Sequence, residues 1–535
     1  MADQPITYRQ LMRGAAGYAQ ALRQANVLPG EIIILLLNRE EDLLYAFFGA
    51  ILHGAIPSIM PYLTEKLSPD HYRTSLEALI ETTSPGALIT YQDFAGEVQE
   101  AARTNSSLHA VLLTKDIQPV ERIDIELHSG LHRSPDDLAL LQHSSGTTGL
   151  QKGVALSHRA IFHQLESYAR AIRLSEKDVI VSWLPLYHDM GLIAGFILPI
   201  MYRIPLVLMS PFEWVRAPYL LLRAVSYYRG TLSWLPNFAY NFCAQKIRER
   251  DLQGVDLSSW RAVINCSEPM HWQSHEMFLE RFSSYGLQAG ALATSYAMAE
   301  NVFGVTQGGI DKPVTIDLVD QNRMQTEQIA SPAIEGRPYV KHLSAGSPIE
   351  NTLLRVIDPK GNSAPERQVG EIVIQSNCML AGYFNRPELT RKAFLDGWYL
   401  TGDLGYLANG ELYVTGRKKD LIIVGGKNIY PQDLERMAGE VPGVHPGRVV
   451  AFGVFNHQIG TEEVVLLVEV DSEDDQERQL ITDRIRAQVT RGSDVALRYV
   501  EVIDRGWLLK TSSGKIARTS NRDKYLAEFR NPGKS

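Results

Sequence analysis

Cysteine is nearly absent: the 535 residues contain three, Cys243, Cys266 and Cys378, none in a CxxC spacing. That scarcity excludes a disulfide framework and a cysteine-built zinc site, and suits a reducing cytoplasm. An excess of positive charge is also missing. Lysines and arginines number 53 against 61 aspartates and glutamates, a formal net charge of −8, so the broad basic face that tracks nucleic acid is not expected. The amino terminus, MADQPITYRQL, lacks the basic and apolar regions of a secretory leader. No apolar run is uninterrupted enough for a transmembrane segment. The longest, Leu192 to Met209, holds Pro199, Arg203 and Pro205 and reads as a buried helix followed by the strand IPLVLM. A Walker A loop is wanting too, because neither Lys152 nor Lys515 ends the required Gly-x4-Gly-Lys-Ser/Thr pattern.

What is present is apolar residue in quantity, 45% of the chain, enough for several cores and two or more domains. Short β-branched runs (EIIILLL, ALIT, AVLLT, LALLQHSS, VIVSWLP, LVLM, RAVINC) alternate with helical patterns such as SHRAIFHQLESYARAI. Such alternation predicts an α/β fold of parallel, doubly wound sheets, with Ser157 as a helix N-cap. From about residue 350 the texture turns to hairpins, TLLRVID, GEIVIQS and YLANGELYVTG, the last with a primed Asn409-Gly410 turn. A small β-rich subdomain is expected at about 350–418. The charged run Arg417-Lys418-Lys419-Asp420 marks a boundary: residues 1–418 form the large amino-terminal part and 419–535 a small α+β carboxy-terminal domain.

One stretch, HSSGTTGLQKG from His143 to Gly153, has almost nothing to bury. Glycines free its backbone N–H groups to turn inward, hydroxyls add donors and Lys152 adds charge, which together suit phosphate oxygens. A solvated turn is the plain alternative.

Four segments in order, SSGTTGLQKGVALSH, SYAMAE, YLTGDLGYLANGELYVTGRKKDLIIVGGKNIYPQDLE and KTSSGKIAR, resemble the core motifs of the adenylate-forming superfamily: acyl-CoA synthetases, adenylation domains and luciferases. The resemblance spans nearly the whole chain. Within that superfamily WLPLYHDMGLIAGFILP, WLPNFAYNFC, Ser267-Glu268-Pro269 and NIYPQDLE look most like fatty acyl-AMP ligases. The interval Asp311 to Val340 is similar in position to the insertion that sets those ligases apart and opposes use of free CoA.

The resemblance implies roles. Ser144, Ser145, Gly146, Thr147, Thr148, Gly149 and Lys152 would hold the β- and γ-phosphates of ATP, with Ser267 and Glu268 also at the nucleotide. Tyr296 would stack on adenine, Glu300 would bind Mg2+, and Asp403 with Arg417 would hold the ribose. Lys515 would bridge the substrate carboxylate and the α-phosphate. His188 would line the junction of acyl pocket and nucleotide, and the small domain would swing as a lid about Lys419. Trp183, Phe196, Trp234, Phe238 and Phe242 are the candidate acyl lining. Ala297 and Ala299 depart from the Gly and Thr of the commonest family pattern. Leu509 stands where proline often precedes the Lys-Thr pair.

The activity implied is ATP-dependent conversion of a fatty acid to acyl-AMP in the cytoplasm. The acyl group would then pass to the phosphopantetheine thiol of a separate acyl carrier protein, in lipid or polyketide biosynthesis. No phosphopantetheine attachment motif occurs in the chain. The alternatives are an acyl-CoA synthetase using free CoA, an amino-acid-activating domain and a non-catalytic nucleotide-binding protein. The second is disfavoured because LYHDMG and NFAYNFC do not carry the acidic residue that amino-acid-activating domains usually place there for an α-ammonium group; the third sits poorly with Lys515, Glu300 and Asp403 all present.

Overall fold

The computed structural model describes residues 4–37, 40–61, 69–101, 107–144, 152–424, 427–456, 461–493, 497–511 and 515–530. Two sheets dominate the amino-terminal part. The first is fully parallel, in the order Ile56–Ile59, Ile32–Leu35, Ala87–Thr90, Ala110–Leu113. Its inner strands are buried along their whole length, which is why they read as unbroken apolar runs rather than alternating ones. The helix Tyr8–Gln24 starts on a reciprocal cap: Gln10 N–H donates to Thr7 Oγ1 at 3.3 Å and Thr7 N–H to Gln10 Oε1 at 2.8 Å.

The second sheet has seven strands: Ser347–Pro348, Gly304–Gly308, Leu292–Ala297, Ala262–Asn265, Leu232–Leu235, Ile180–Ser182 and Leu206–Leu208. The last five run parallel and the first two antiparallel, so the expected parallel sheet carries an antiparallel edge. The run Leu192 to Met209 resolves as expected into helix and strand. It begins inside a fully buried π-helix, Met190–Ile197, continued by Leu198–Tyr202 before Leu206–Leu208. Gly191 is required there, since a Cβ would stand 2.3 Å from Pro185 O.

The β-rich part is a five-stranded antiparallel sheet in which Trp398–Ala408 pairs with Glu411–Arg417 across the Asn409-Gly410 turn. Both turn residues have positive φ, 53° and 75°, the primed geometry that matches strand twist. A 3-10 turn, Lys418–Asp420, leads from that sheet into the carboxy-terminal part. There Val444–Asn456, Thr461–Val470 and Tyr499–Asp504 form a sheet, and a separate core gathers Leu434, Met437, Leu466, Val468, Ile481 and Ile485. Among the described residues no helix is long and apolar enough to cross a membrane.

Candidate active site

Four parallel strands of the large sheet end side by side, and each hands its next residues to one chamber. Ile180–Ser182 is followed by Trp183 and His188, Leu232–Leu235 by Phe238, Ala262–Asn265 by Ser267 and Glu268, and Leu292–Ala297 by Glu300. Carboxyl ends of parallel strands are where open α/β sheets place ligands. Ser267 turns there with φ 69°. Beyond Glu300 the chain makes a γ-turn centred on Val302 (φ 61°, ψ −52°), with Phe303 N–H donating to Asn301 O at 2.6 Å. A β-branched residue held at positive φ costs on the order of 1–3 kcal/mol, and such strain concentrates at functional sites.

The opposite wall comes from the β-rich hairpin, whose register sets Asp403 directly across from Arg417. Asp403 Oδ1 lies 3.3 Å from Arg417 Nε, and Asp403 Oδ2 accepts a 2.6 Å hydrogen bond from the Tyr296 hydroxyl. Glu300 Oε1 accepts from the Tyr383 hydroxyl at 2.9 Å, which in turn meets the Tyr399 hydroxyl at 2.9 Å. Burial pushes the Glu300 carboxyl above its ordinary range, against its own backbone amide, the Tyr383 hydroxyl and Lys152. Lys152 Nζ stands 4.9 Å from the centre of the Tyr383 ring. His188 Nδ1 lies 2.6 Å from Asp189 Oδ1. Burial works to raise the Asp189 carboxyl, but the neighbouring His188 and the Lys515 charge outweigh it and hold it below the carboxylate range.

Lys515 reaches the chamber from the carboxy-terminal part. Thr511 N–H donates to Lys515 O at 2.8 Å and Lys510 bridges Ile516. Arg518, three residues on, ties the chain down there: its Nη1 bonds Asp420 Oδ2 at 2.6 Å, its Nη2 Glu435 Oε1 at 2.7 Å and its Nε Ala451 O at 2.9 Å. Burial pushes the Lys515 ammonium down, and Arg417 adds to this, while Glu268 and Asp189 oppose it. Glu268 Oε2 also accepts from Phe238 N–H at 3.1 Å. Lys419 sits in the connecting turn. Burial pushes its ammonium down, and the charges of Arg417 and Lys152 add to this.

Beside Glu268 lies an aromatic stack. Trp183 and Trp214 are parallel at 3.6 Å, Phe238 meets both edge-on, and Phe242 tilts against Trp214. Two of the expected lining residues are not part of this stack. Trp234 donates its indole N–H to the Tyr168 hydroxyl at 2.8 Å, and Phe196 packs on Phe47 and Phe48. Each faces a side of its element that sequence spacing does not distinguish. Ser144 ends the strand Leu138–Ser144; Ser145, Gly146, Thr147, Thr148 and Gly149 lie outside the described residues. Residues not singled out from the sequence are Asp189, Trp214, Tyr383 and Tyr399. Asp189 adjoins His188 in LYHDMG, whereas nothing in the composition around Tyr383 marks it.

All three cysteines are buried, and burial pushes their thiols up, those of Cys266 and Cys378 to about 12. None is a thiolate nucleophile.

Comparison with known proteins places this geometry. Residues 1–384 match the family described as AMP-binding enzyme. The medium-chain-fatty-acid–[acyl-carrier-protein] ligase JamA of Moorena producens is 30% identical, over 97% of this chain and 90% of its own. A putative acyl-CoA synthetase of Caulobacter vibrioides is 29% identical, over 98% and 90%. A structure from a study of fatty acyl-adenylate ligases of E. coli and L. pneumophila superposes with a TM-score of 0.91 at 28% identity, covering 99% of this chain and 94% of that one. The chain belongs to the AMP-binding enzyme family.

Proposed function

We propose that this member of the AMP-binding enzyme family joins a fatty acid to ATP, forming acyl-AMP and pyrophosphate, and passes the acyl group to the phosphopantetheine thiol of a separate acyl carrier protein. The observation that carries this reading is the partly buried Lys515 ammonium, within electrostatic reach of Glu268, Asp189 and Arg417, with Arg417 shared by the Asp403–Tyr296 wall. A fatty acid carboxylate is a weak nucleophile facing a polyanion. Adenylation therefore needs alignment of the two and positive charge at the α-phosphoryl group as pyrophosphate departs. Lys515 would touch both the carboxylate and the α-phosphate. Asp403 would accept hydrogen bonds from the ribose hydroxyls, and the Tyr296 ring would lie against adenine. Ser144 to Lys152 would hold the outer phosphates, and His188 would close the acyl side.

Glu300 suits Mg2+, which is held by one or two carboxylates together with phosphate oxygens rather than by a protein cage. When bound, the ion supplies charge against the polyphosphate. The stack of Trp183, Trp214, Phe238 and Phe242 beside Glu268 would receive the acyl chain.

The acceptor follows from two features. With its own thiols buried and protonated, the chain needs a thiol from outside. Residues 419–535 would act as a lid hinged at Lys419, turning to admit it. The segment expected to restrict that thiol forms the hairpin Ile316–Asp320 with Tyr339–Leu343 and the helix Gln321–Glu327. Its Gln321 Nε2 donates to Gly492 O at 3.0 Å, a contact that the turn would have to break for any thiol; a carrier protein that docks on both parts could offset that cost, which free CoA could not. The test is mass spectrometry of adenylates formed from a mixed pool of fatty, aryl and amino acids, followed by transfer to a pantetheinylated carrier or to CoA. Fatty acyl-AMP and rapid carrier loading are expected. Equal or faster acyl-CoA formation would favour the activity in the name of the Caulobacter relative, and adenylates of amino acids alone would discard the fatty acid.

A further inference from the structure

Tyr383 has two sides, and only one belongs to the chamber described above. Its hydroxyl holds Glu300 and its ring lies under Lys152, yet the same residue lines a groove of about 580 Å³ opening to solvent, together with Asn385, Arg386, Thr390, Arg391 and Phe394. The groove wall is firmly built. Gly382 and Tyr383 pair with Ala155 and Val154 on the strand that begins at Lys152, and Phe384 N–H donates to Gly153 O at 2.8 Å. Asn385 turns the chain at φ 51° and donates its side-chain amide to Thr82 O at 2.9 Å. Thr390 Oγ1 accepts from Tyr383 N–H at 2.9 Å and donates to Arg386 O at 3.1 Å.

The charges in this groove are uneven. Arg391 is paired with Glu388 at 2.6 Å, whereas Arg386 forms no ion pair among the described residues. An exposed guanidinium in the lining of a groove whose Tyr383 also touches Glu300 and Lys152 is suited to a small polyanion. Pyrophosphate is the polyanion that adenylation would release beside Lys152, whose ammonium lies over the Tyr383 ring, and its departure from Lys152 is eased by a second cation further out.

We propose that the groove is a way station for departing pyrophosphate, with Arg386 as its principal cation; the proposal rests on the function proposed above. The chemistry recognised is a short phosphate chain, so the outer end of incoming ATP is the other source. The experiment is Arg386→Ala, with Arg386→Lys to restore charge, assayed for pyrophosphate–ATP exchange, for adenylate formation with pyrophosphatase present, and for direct calorimetric binding of magnesium pyrophosphate. Arg386→Ala should raise the KM for pyrophosphate and weaken its binding about fivefold, as for one partly exposed charge contact. The KM for ATP and forward adenylation should stay unchanged, and Arg386→Lys should recover most of the loss. Unchanged pyrophosphate KM and binding would overturn the proposal, as would equal increases in the KM values for pyrophosphate and ATP. If the wild-type protein exchanges with no acid, the proposed function fails, while calorimetry still decides whether Arg386 holds pyrophosphate.

Discussion

The two halves of the chamber are held by different forces. Glu300, Glu268, His188 and Tyr296 come from the ends of adjacent strands, so sheet register and a continuous apolar core fix them. Lys515 arrives from the smaller part, tied down by the Arg518 guanidinium between two carboxylates. A register-held wall is stiff and resists single polar substitutions. An ion-pair latch is strong only while complete, and can be broken at one residue. Nucleotide binding should therefore depend on the first half, and turnover on the second.

Removing Lys515 gives the largest contrast. Lys515→Ala should cut adenylation by on the order of a hundredfold or more, because its charge acts where the transition state develops it, while equilibrium ATP binding changes little. Near wild-type turnover in a single-turnover assay would break the comparison. Next in size is Arg518→Ala, which leaves Asp420 and Glu435 without their shared cation. It should lower turnover about tenfold and make the carboxy-terminal part more sensitive to limited proteolysis, at a cost of about 2 kcal/mol given its partial exposure, with ATP affinity retained. Asp403→Ala should do the reverse, raising the KM for ATP about tenfold with a smaller change in kcat, since a ribose contact is made in ground and transition states alike.

Local features of this architecture were legible where the physics is local. Ser157 caps its helix, its Oγ accepting from Ala160 N–H at 3.2 Å. The Asn409-Gly410 turn has the positive φ values its residues favour, and through register that turn brings Asp403 to Arg417. Contacts made at long range were not legible in composition or periodicity; only the family resemblance groups Tyr296, Glu300, Asp403 and Lys515 around one nucleotide. Tyr383 and Glu300 are 83 residues apart and Tyr296 and Asp403 are 107 apart, so no periodicity links them. The face on which Trp234 and Phe196 lie depends on which neighbour packs behind each, and the π-helical winding at Met190–Ile197 leaves no mark in apolar patterning. Trp214 joins the aromatic stack from a helix whose sequence, PFEWVR, gives no sign of its partner.

The smallest expected effect concerns pH at the junction of the two halves. Asp433, on the helix Pro431–Gly439, lies in a cavity lined by Gln321, His342, Tyr430 and Ser493. Burial pushes its carboxyl up to about 6, with Glu435 adding and Arg436 opposing. Burial pushes His342 down to about 4, so it stays neutral through that range. A carboxyl raised in the folded state favours that state when protonated, so its penalty grows as pH rises through about 6. Thermal unfolding should show the carboxy-terminal part slightly more stable at pH 5.5 than at 7.5. Asp433→Asn should flatten that dependence; a dependence equal to wild type would assign it to other groups.

The most direct test of the account is acid-dependent pyrophosphate–ATP exchange by the wild-type protein and Lys515→Ala, run side by side with a graded series of fatty acids. The account predicts exchange that requires both a fatty acid and Lys515, with ATP binding equal in the two proteins. Absence of exchange with every carboxylic acid tried, or exchange undiminished without the Lys515 ammonium, would contradict it.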